Sequence, residues 1–396
     1  MDDGPAVMKL RRPFFLFVER RRIPPASLQA LLSAHGGGDD WIALAPHLDA
    51  EAPIESGDLA VFEALDAESG TDSDALAARF DAARIDRLVT AGLLLGDHPG
   101  HAALRARDQA LRDTDWWGPA ALAQGLGRWG GVDLASEPPG ASRETLAAMI
   151  ARHGAPPPAT VRAPASVPAI ALPRPARSRL DDLLGARSTC RNFAPGAGLP
   201  LADLATSLQR VFGAQASQDL APGATVLKKN SPSGGGLHPI EAYVLAQRVD
   251  RLEAGLYHYD CVEHALEPLR VESAATVAGF ARELVAGQAW FADAPVLVLM
   301  AARFQRNFWK YRRHSKAWKV VLLDAGHLAQ NFQLSATEQG YGAFVTGAIN
   351  DRCAERLFGF DGLSTGAIAV CGMGRRAARI DIIELDPLGL APRGTG

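Results

Sequence analysis

The sequence predicts two structural units joined by a linker, of which the second is an α/β or α+β domain. Three observations predict this organisation. Seven prolines stand among small residues between Gly154 and Pro175, a composition typical of an extended linker. Short helical and strand-like segments precede the linker, whereas β-prone runs and helical patterns alternate after it. We therefore expect an N-terminal domain at residues 1–150, a linker at 151–176 and a second domain at 177–396.

Composition and charge exclude several classes of protein. The 396 residues are 47% hydrophobic and 21% charged, as in a globular protein with a substantial core. The net charge of −3 and the pI near 6.4 provide no attraction to nucleic acid or to an anionic membrane. The acidic start and the short apolar run Phe14–Val18 fit neither a signal peptide nor a membrane span, so we expect a cytoplasmic protein. The cysteines lack metal-site or disulfide spacing, and we interpret them as buried thiols: Cys190, Cys261, Cys353 and Cys371.

The N-terminal segment has the order of elements found in a winged helix. The predicted elements are a strand within Lys9–Glu19, helices at Asp58–Leu65, Thr71–Phe80 and Ala83–Ala91, and, after Gly92, a strand at Leu93–Leu95. Such modules bind DNA in many proteins and a leader peptide in enzymes that modify ribosomal peptides. The mixed charges of the last helix argue against phosphate recognition, so peptide binding and a purely structural role both stay open.

Two other N-terminal features have a functional and a structural interpretation. The basic run Arg20–Arg22 beside an edge-prone strand is either solvated surface or a guide for an acidic peptide that adds a strand. Trp116, Trp117 and Trp129 lie in a predicted helical region, where core packing is the expected role.

The C-terminal segment alternates strands and helices. The continuous apolar run Val296–Leu299 predicts a strand buried on both faces, and Gly340 ends a long helix. The predicted elements are a helix at Ser178–Leu184, strands at Glu241–Gln247 and Pro295–Met300, a helix at Lys319–Gln339 and a strand at Ala367–Cys371.

A loop at Ser231–Pro239 contains three consecutive glycines. Glycine allows positive φ and removes side chains that would keep a ligand from the backbone, while Pro232 and Pro239 stiffen the loop. We interpret the loop as a binding surface for a planar cofactor. An ordinary glycine-rich turn is the alternative.

The segment Arg187–Phe193 suits a phosphate. Its two guanidiniums flank the hydroxyls of Ser188 and Thr189, a donor set that matches one terminal phosphate and that Arg375 and Arg376 would complete. Solvated arginines in a loop are the alternative.

A basic segment, Arg303–His314, follows the buried strand, a position that often carries active-site residues. Lys310 and Tyr311 place an amine beside a phenol, and either can move a proton if burial or neighbouring cations lower its pKa. A solvated basic surface is again the alternative.

In their order and spacing these segments resemble the SagB-type peptide dehydrogenases, FMN enzymes of the nitroreductase superfamily that oxidise azolines to azoles in ribosomally made peptides. The resemblance covers about Leu180 to Arg376, and the N-terminal half and linker resemble the subgroup of peptide maturation dehydrogenases. It rests on six segments: Arg187–Phe193, Ser231–Pro239, Gly255–Asp260, Trp309–Tyr311, Asp324–Asn331, and Gly340–Gly342 followed by Gly347.

The resemblance implies an α+β fold of the FMN-dependent nitroreductase type, a mixed sheet flanked by helices, after a small winged-helix-like domain. It implies Lys310 and Tyr311 as catalytic residues without deciding which is the base. The implied cofactor residues are Arg187, Ser188, Thr189, Arg191 and Arg375 at the phosphate and ribityl chain, Ser233, Gly234, Gly235 and Leu237 at the isoalloxazine, and Gln330, Asn331 and Gly347 near the flavin and a subunit contact.

The same likeness implies a homodimer that acts on a precursor peptide, with a cyclodehydratase as a further partner. The expected reaction removes a proton and a hydride from an azoline ring, with FMN as hydride acceptor and dioxygen as reoxidant. Lys228–Asn230 and His314–Trp318 depart from better-known members, so oxidation of another peptide residue stays open. The alternatives are an NAD(P)H-dependent nitroreductase, a flavin-free peptide-binding scaffold and a DNA-binding regulator with a flavin sensor.

Overall fold

The computed structural model describes residues 8–22, 39–48, 50–136, 146–160 and 170–391. The predictions for the first residues, from Met1 to Gly4, lie outside these ranges. The N-terminal elements are β1 (Lys9–Arg11), β2 (Phe17–Arg22), β3 (Asp39–Leu44), β4 (Ala52–Ile54), α1 (Asp58–Glu63), β5 (Thr71–Asp72), α2 (Ser73–Phe80), α3 (Ala82–Thr90), β6 (Leu95–Gly96), α4 (Ala102–Asp113), α5 (Gly118–Gly127) and α6 (Leu146–His153).

Two small antiparallel sheets and a helical layer make up most of the N-terminal part. Strands β5, β1 and β6 pair in that order, as do β2, β3 and β4. Helices α1 to α3 contribute Phe62, Leu76 and Leu88 to the core that these sheets share. The predicted small domain of strands and helices is therefore confirmed, and the helices near residues 58 and 83 lie where the periodicity indicates them.

The strand predicted at Leu93–Leu95 is wrong for its first two residues. The N–H groups of Leu93 and Leu94 both donate to the carbonyl of Leu88, which closes the end of α3. Because these donors are already used, strand pairing begins only at Leu95.

The strand predicted within Lys9–Glu19 is interrupted at Pro13 and Phe14. Proline has no N–H for a strand ladder, and the N–H of Phe14 donates to the buried side chain of Asp108 (2.8 Å). The segment therefore forms two strands, β1 and β2, that belong to different sheets.

The C-terminal part is built on a six-stranded sheet. Its elements are α7 (Arg179–Ala186), α8 (Leu201–Val211), β7 (Ala214–Ala221), β8 (Ala224–Lys229), β9 (Ile240–Ala246), β10 (Gly255–Asp260), β11 (Ala265–Val271), α9 (Ala274–Leu284), α10 (Ala289–Ala292), β12 (Val296–Arg303), α11 (Phe304–Tyr311), α12 (Ala317–Glu338), β13 (Gly342–Thr346), α13 (Asp351–Phe358) and β14 (Thr365–Gly374).

The strands of this sheet run in the order β11-β10-β9-β12-β14-β13, with antiparallel neighbours throughout. A parallel bridge joins Thr189 to Ala343 of the edge strand β13. Helices α8, α11 and α12 cover one face of the sheet, and α9, α10 and α13 cover the other. The α+β fold predicted for this part is confirmed.

The central strand β12 shows why the apolar run in the sequence indicated burial on both faces. Val296, Val298 and Met300 point into the core under α8, α11 and α12, whereas Leu297 and Leu299 point into the opposite core. Side chains alternate across a strand, so a continuous apolar run fits a strand between two helical layers.

The C-terminal core extends into the N-terminal half of the chain. Trp116 is fully buried, and its indole N–H donates to the carbonyl of Leu363 (2.7 Å). Its ring lies 4.7 Å from each of the rings of Phe304 and Phe308. Trp117 and Trp129, in contrast, are each 38% exposed. The prediction of core packing is therefore confirmed for Trp116 and wrong for Trp117 and Trp129.

Two further segments complete the fold. Residues 151–153 of the predicted linker form the end of α6, whereas its other described residues, 154–160 and 170–176, are exposed and form neither helix nor strand. Strands β7 and β8 form a two-stranded hairpin that the sequence did not indicate. Most of β7 is exposed, whereas β8 ends at the buried Lys229. No helix in the described ranges is long and apolar enough to cross a membrane, and those ranges contain no cluster of three potential metal-ligating side chains.

Candidate active site

The glycine loop lies against helix α12 in a backbone conformation that favours glycine. Gly235 and Gly236 have φ values of +69° and +70°. The buried carboxylate of Asp324 accepts hydrogen bonds from the Ser233 hydroxyl and from the N–H of Gly234 (3.1 Å). These bonds attach the loop to a long helix, so its shape is fixed within this chain.

A buried lysine lies beside the loop. Lys229 is 4% exposed, and the described residues place no carboxylate within ion-pair distance of it. Burial is the main cause that lowers the pKa of the His238 side chain, and the charge of Lys229 is the next. The backbone N–H of His238 donates to Ser233 Oγ (2.8 Å). A cavity of about 10 Å³ between these residues and Asp324 has room for about one water molecule.

Lys310 and Tyr311, at the end of α11, meet the glycine loop. A Cβ atom placed on Gly235 would lie 2.6 Å from the Tyr311 hydroxyl oxygen and 2.9 Å from Lys310 Nζ. Both polar groups therefore touch the loop backbone where a side chain is absent. The side chain of Lys310 is exposed, whereas that of Tyr311 is partly buried.

The segment 187–193 lies between the edge strand β13 and the end of β14. The N–H of Cys190 donates to the carbonyl of Ala343 (2.8 Å), and the N–H of Ala194 donates to the carbonyl of Arg375 (2.9 Å). Burial raises the pKa of the Cys190 thiol to about 12, so this group is structural. The end of β14 thus lies beside the segment that carries the other arginines.

Some polar groups of this segment are already used by the chain. Arg376 is buried, donates to the carbonyl and hydroxyl of Ser188 (2.8 Å each) and forms an ion pair with Glu384. Glu384 also accepts the N–H groups of Arg191 and Asn192. The expectation that Arg376 completes a phosphate cradle is therefore wrong. The side chains that remain partly or fully exposed are those of Arg187, Thr189, Arg191 and Arg375.

Helix α12 connects the glycine loop with the arginine segment. Asp324 holds the loop, Asn331 Nδ2 donates to Ser231 Oγ (2.7 Å), and Gln333 Oε1 accepts from Arg187 Nη1 (3.2 Å). At 1.5 Å per residue, Asp324 and Gln333 are about 14 Å apart along the helix axis. Arg187 therefore lies near the Gln333 end of this stretch of α12, and the backbone of the glycine loop lies near the Asp324 end.

A cavity of about 350 Å³ opens between α12 and strands β13 and β14, and its lining includes Gln330 and Gln333. This volume lies in the range of small-molecule sites. Gly347 follows β13, is exposed, and has no atom within 4 Å of its Cβ position. The lining of this cavity includes neither the glycine loop nor the arginines. The arginine donors and the bare loop backbone, at two ends of a stretch of α12, suit an elongated ligand with a phosphate end and a planar end, which is the shape of FMN.

Two residues of the site were missed by sequence reasoning. Asp324 stands in a segment that the resemblance includes, but a single carboxylate on a helix gave no signal of its contact with Ser233. Glu384 lies 193 residues after Arg191, in a tail without a motif. Leu237, expected at the ring, is 7% exposed, and its carbonyl accepts from Arg306 Nε (3.1 Å).

Residues 184–375, which include the glycine loop and the arginine segment, match the model of the nitroreductase family. These residues form a nitroreductase-family domain. The predicted membership of the nitroreductase superfamily is thereby confirmed for this part of the chain. Proteins of this family generally bind a flavin, which agrees with the donor set described above.

Three relatives of the nitroreductase-family domain stand out. A Methanocaldococcus jannaschii protein that carries the name nitroreductase is 29% identical over 46% of this chain and 85% of its own. The trifolitoxin-processing protein TfxB of Rhizobium leguminosarum bv. trifolii is 29% identical over 34% of this chain. The microcin B17-processing protein McbC of Escherichia coli is 26% identical over 36%. The chain spans only 36% and 52% of the lengths of these two processing proteins.

Among solved structures, the E. coli microcin synthetase McbBCD complex with truncated pro-MccB17 bound contains a similar chain. The two chains share 21% identity with a TM-score of 0.48, over 63% of this chain and 88% of that one.

Proposed function

We propose that this protein is an FMN-dependent dehydrogenase that oxidises azoline rings to azoles in a ribosomally synthesised peptide. The observation that carries the proposal is the contact of Lys310 and Tyr311 with the bare backbone of Gly235 in a nitroreductase-family domain. An amine and a phenol at the planar end of the site supply proton-transfer groups, which simple NAD(P)H-dependent reduction does not need. The names of two relatives, which process trifolitoxin and microcin B17, support a precursor peptide as substrate.

Different residues of the chain would bind the phosphate and the ring system of FMN. Arg187, Arg191, Arg375 and Thr189 would hold the phosphate through charge-assisted hydrogen bonds. The backbone of the glycine loop would contact the ring system, and FMN, when bound, supplies the hydride acceptor.

The Lys310 and Tyr311 pair would remove the substrate's ring proton. In one arrangement neutral Lys310 is the base, and in the other its ammonium, 5.6 Å from the centre of the Tyr311 ring, stabilises a phenolate. Lys310 is exposed in this chain, which favours the second arrangement unless a bound substrate or partner subunit covers the amine.

The proposal includes partners. A homodimer is supported by Leu322 and Leu323 of α12, which are 43% and 53% exposed beside the cavity between α12 and the sheet. A cyclodehydratase would supply the azoline, because the ring must exist before it is oxidised. We propose that the N-terminal domain, residues 1–150, contributes to peptide recognition and that the protein acts in the cytoplasm.

The test is oxidation of a synthetic azoline-containing peptide by the purified full-length protein after FMN loading. We expect the peptide to lose the mass of two hydrogens. Lys310→Ala should retain FMN and lower turnover about 100-fold or more, whereas Arg187→Ala should weaken FMN binding about tenfold. Lys9→Ala, an exposed lysine on β1, is the matched control. Fast NAD(P)H oxidation by an FMN-containing protein that leaves the peptide unchanged would instead identify a nitroreductase.

A further inference from the structure

Positive charge is concentrated around the Lys310 and Tyr311 pair. Residues 303–319 contain seven Lys or Arg side chains and no Asp or Glu, although the whole chain has a net charge of −3. The segment comprises the last residue of β12, helix α11, an exposed loop and the first residues of α12. A segment of this composition in a net-acidic protein creates a local positive potential at the site.

Only part of this charge is neutralised within the chain. Arg303 pairs with Glu241 (2.6 Å), while Arg312 and Arg313 share Asp115 (3.4 and 3.9 Å). The lysines differ from these arginines. The described residues place no carboxylate within ion-pair distance of the three exposed lysines, Lys310, Lys316 and Lys319.

The three lysines and the exposed Trp309 form what we call the basic strip. Trp309 is 61% exposed and precedes Lys310 directly, so it adds a large apolar surface to the cationic one. Val320, next to Lys319, packs against Gly234 of the glycine loop, because a Cβ on that glycine would lie 2.1 Å from Val320 Cγ1. The strip therefore borders the loop on the side of α11 and on the side of α12.

Arg313, which lies between Lys310 and Lys316 in the chain, contacts the N-terminal part. The N–H of Arg313 donates to the carbonyl of Asp115 (2.9 Å), and its guanidinium lies 5.0 Å from the centre of the Phe14 ring. The exposed loop 312–316, which carries Lys316, therefore joins Lys310 and Tyr311 to the N-terminal part of the chain through a cationic surface.

We propose that the basic strip binds an acidic segment of the substrate peptide next to the residue that is oxidised. This inference rests on the proposed function. The arginines that suit the cofactor phosphate lie at the other end of α12, so the strip is free for a different anion. A few lysines beside a proton-transfer pair, in a protein of negative net charge, favour a peptide carboxylate over a long polyanion.

The test measures binding without turnover. The probe is a fluorescein-labelled peptide of alternating glutamate and serine, bound to the full-length FMN-loaded protein and followed by fluorescence anisotropy. Lys316→Gln combined with Lys319→Gln should weaken binding about fivefold, and raising the ionic strength to about 1 M should abolish it. The control combines Arg251→Gln with Arg282→Gln, which changes the net charge equally away from the strip and should leave affinity unchanged.

Three results would overturn the inference. Equal losses in the two double variants would show a general effect of net charge. Tighter binding of a single-stranded oligonucleotide, or of phosphatidylglycerol vesicles, than of the acidic peptide would assign the strip to nucleic acid or to a membrane.

The two proposals fail in different ways. If the protein binds the acidic peptide through the basic strip but does not bind FMN, the proposed oxidation is refuted and the proposed peptide binding is supported. A protein that oxidises the azoline peptide with the same KM in wild type and in the double lysine variant would refute the strip alone.

Discussion

At the scale of single residues, Gly235 decides whether the proton-transfer pair can reach the planar end of the site. Two features favour glycine at this position: the φ of +69°, and the contacts that a Cβ would make with Tyr311 and Lys310. Only the first feature is present at Gly236, where φ is +70° and no atom lies within 4 Å of the Cβ position. The two neighbouring glycines therefore separate backbone strain from steric displacement.

We predict that Gly235→Ala lowers turnover of the azoline peptide at least tenfold, because the methyl group displaces both polar groups from the loop. Gly236→Ala should retain most activity, and each variant should lose about 1 kcal/mol of unfolding free energy from the strained backbone. Turnover and urea unfolding of the two variants measure this. Equal losses of activity would show that the contact with the pair is unimportant.

At the scale of elements, the C-terminal tail after β14 closes over the arginine segment. Glu384 and Arg376 form an ion pair in which the side chains are 7% and 6% exposed. Asn192 binds the same tail, since its side chain accepts the N–H groups of Asp381 and Ile382 (2.9 Å each). The position of the segment 187–193 therefore depends on residues that come almost 200 positions later.

We predict that Glu384→Gln leaves the Arg376 guanidinium buried without its counter-ion and lowers the free energy of unfolding by about 3 kcal/mol. FMN should be released more readily, because the backbone of Arg191 loses the same carboxylate. Asp381→Asn, in an exposed ion pair with Arg379, is the control and should change stability by less than about 1 kcal/mol. Unchanged flavin retention in Glu384→Gln would separate the tail from the cofactor site.

A second element-scale feature is His258, which lies on β10 between carboxylates of the neighbouring strands. Its ring nitrogens are 3.8 Å from the Glu241 carboxylate on β9 and 2.7 Å from the Glu267 carboxylate on β11. The neighbouring Glu241 carboxylate, and with it the hydrogen bond to Glu267, raises the pKa of His258 despite partial burial. Tyr243 and Arg303 also face this group, with Arg303 paired to Glu241.

A raised pKa means that the folded state prefers protonated His258. Its contribution to stability is complete below the ordinary histidine pKa of about 6.5 and is lost as pH rises through the folded pKa. We predict that the stability difference between wild type and His258→Gln falls as the pH rises from about 6 to about 9. Denaturant unfolding measures it, and His153→Gln, which changes an exposed histidine on α6, should show no such trend.

The sequence predicted those elements whose pattern of apolar residues lies within the element itself. The long amphipathic helix α12 and the doubly buried strand β12 follow directly from the spacing of apolar residues. The limits of short elements, such as Leu93–Leu95, depended on hydrogen bonds to residues beyond the pattern. The contacts of Glu384 and Trp116 join positions more than 190 residues apart, and no local feature of either residue indicates its partner. The assignment of cofactor residues stays a prediction.

At the scale of the whole molecule, the N-terminal half contributes to the core of the nitroreductase-family domain. Trp116 packs on Phe304 and Phe308 of α11, the helix that ends in Lys310 and Tyr311. The Arg128 guanidinium and the Glu355 carboxylate form a second link (2.8 Å), with side chains 1% and 15% exposed. The prediction that residues 177–396 form a separate domain can therefore be tested by removing the part of the chain that contains Trp116.

We predict that a chain beginning at residue 177 does not fold stably, because the aromatic side chains under α11 lose the cover that Trp116 provides. A chain beginning at residue 102 keeps α4, α5 and the tryptophan, and it should fold and bind FMN. In the full chain, Trp116→Ala should lower the free energy of unfolding by about 3 to 5 kcal/mol, and Trp116→Phe by less. Near-UV circular dichroism, thermal unfolding and FMN titration distinguish the two truncated chains. A stable, flavin-binding protein from residue 177 onward would show that the shared core is dispensable and that the linker separates two independent domains.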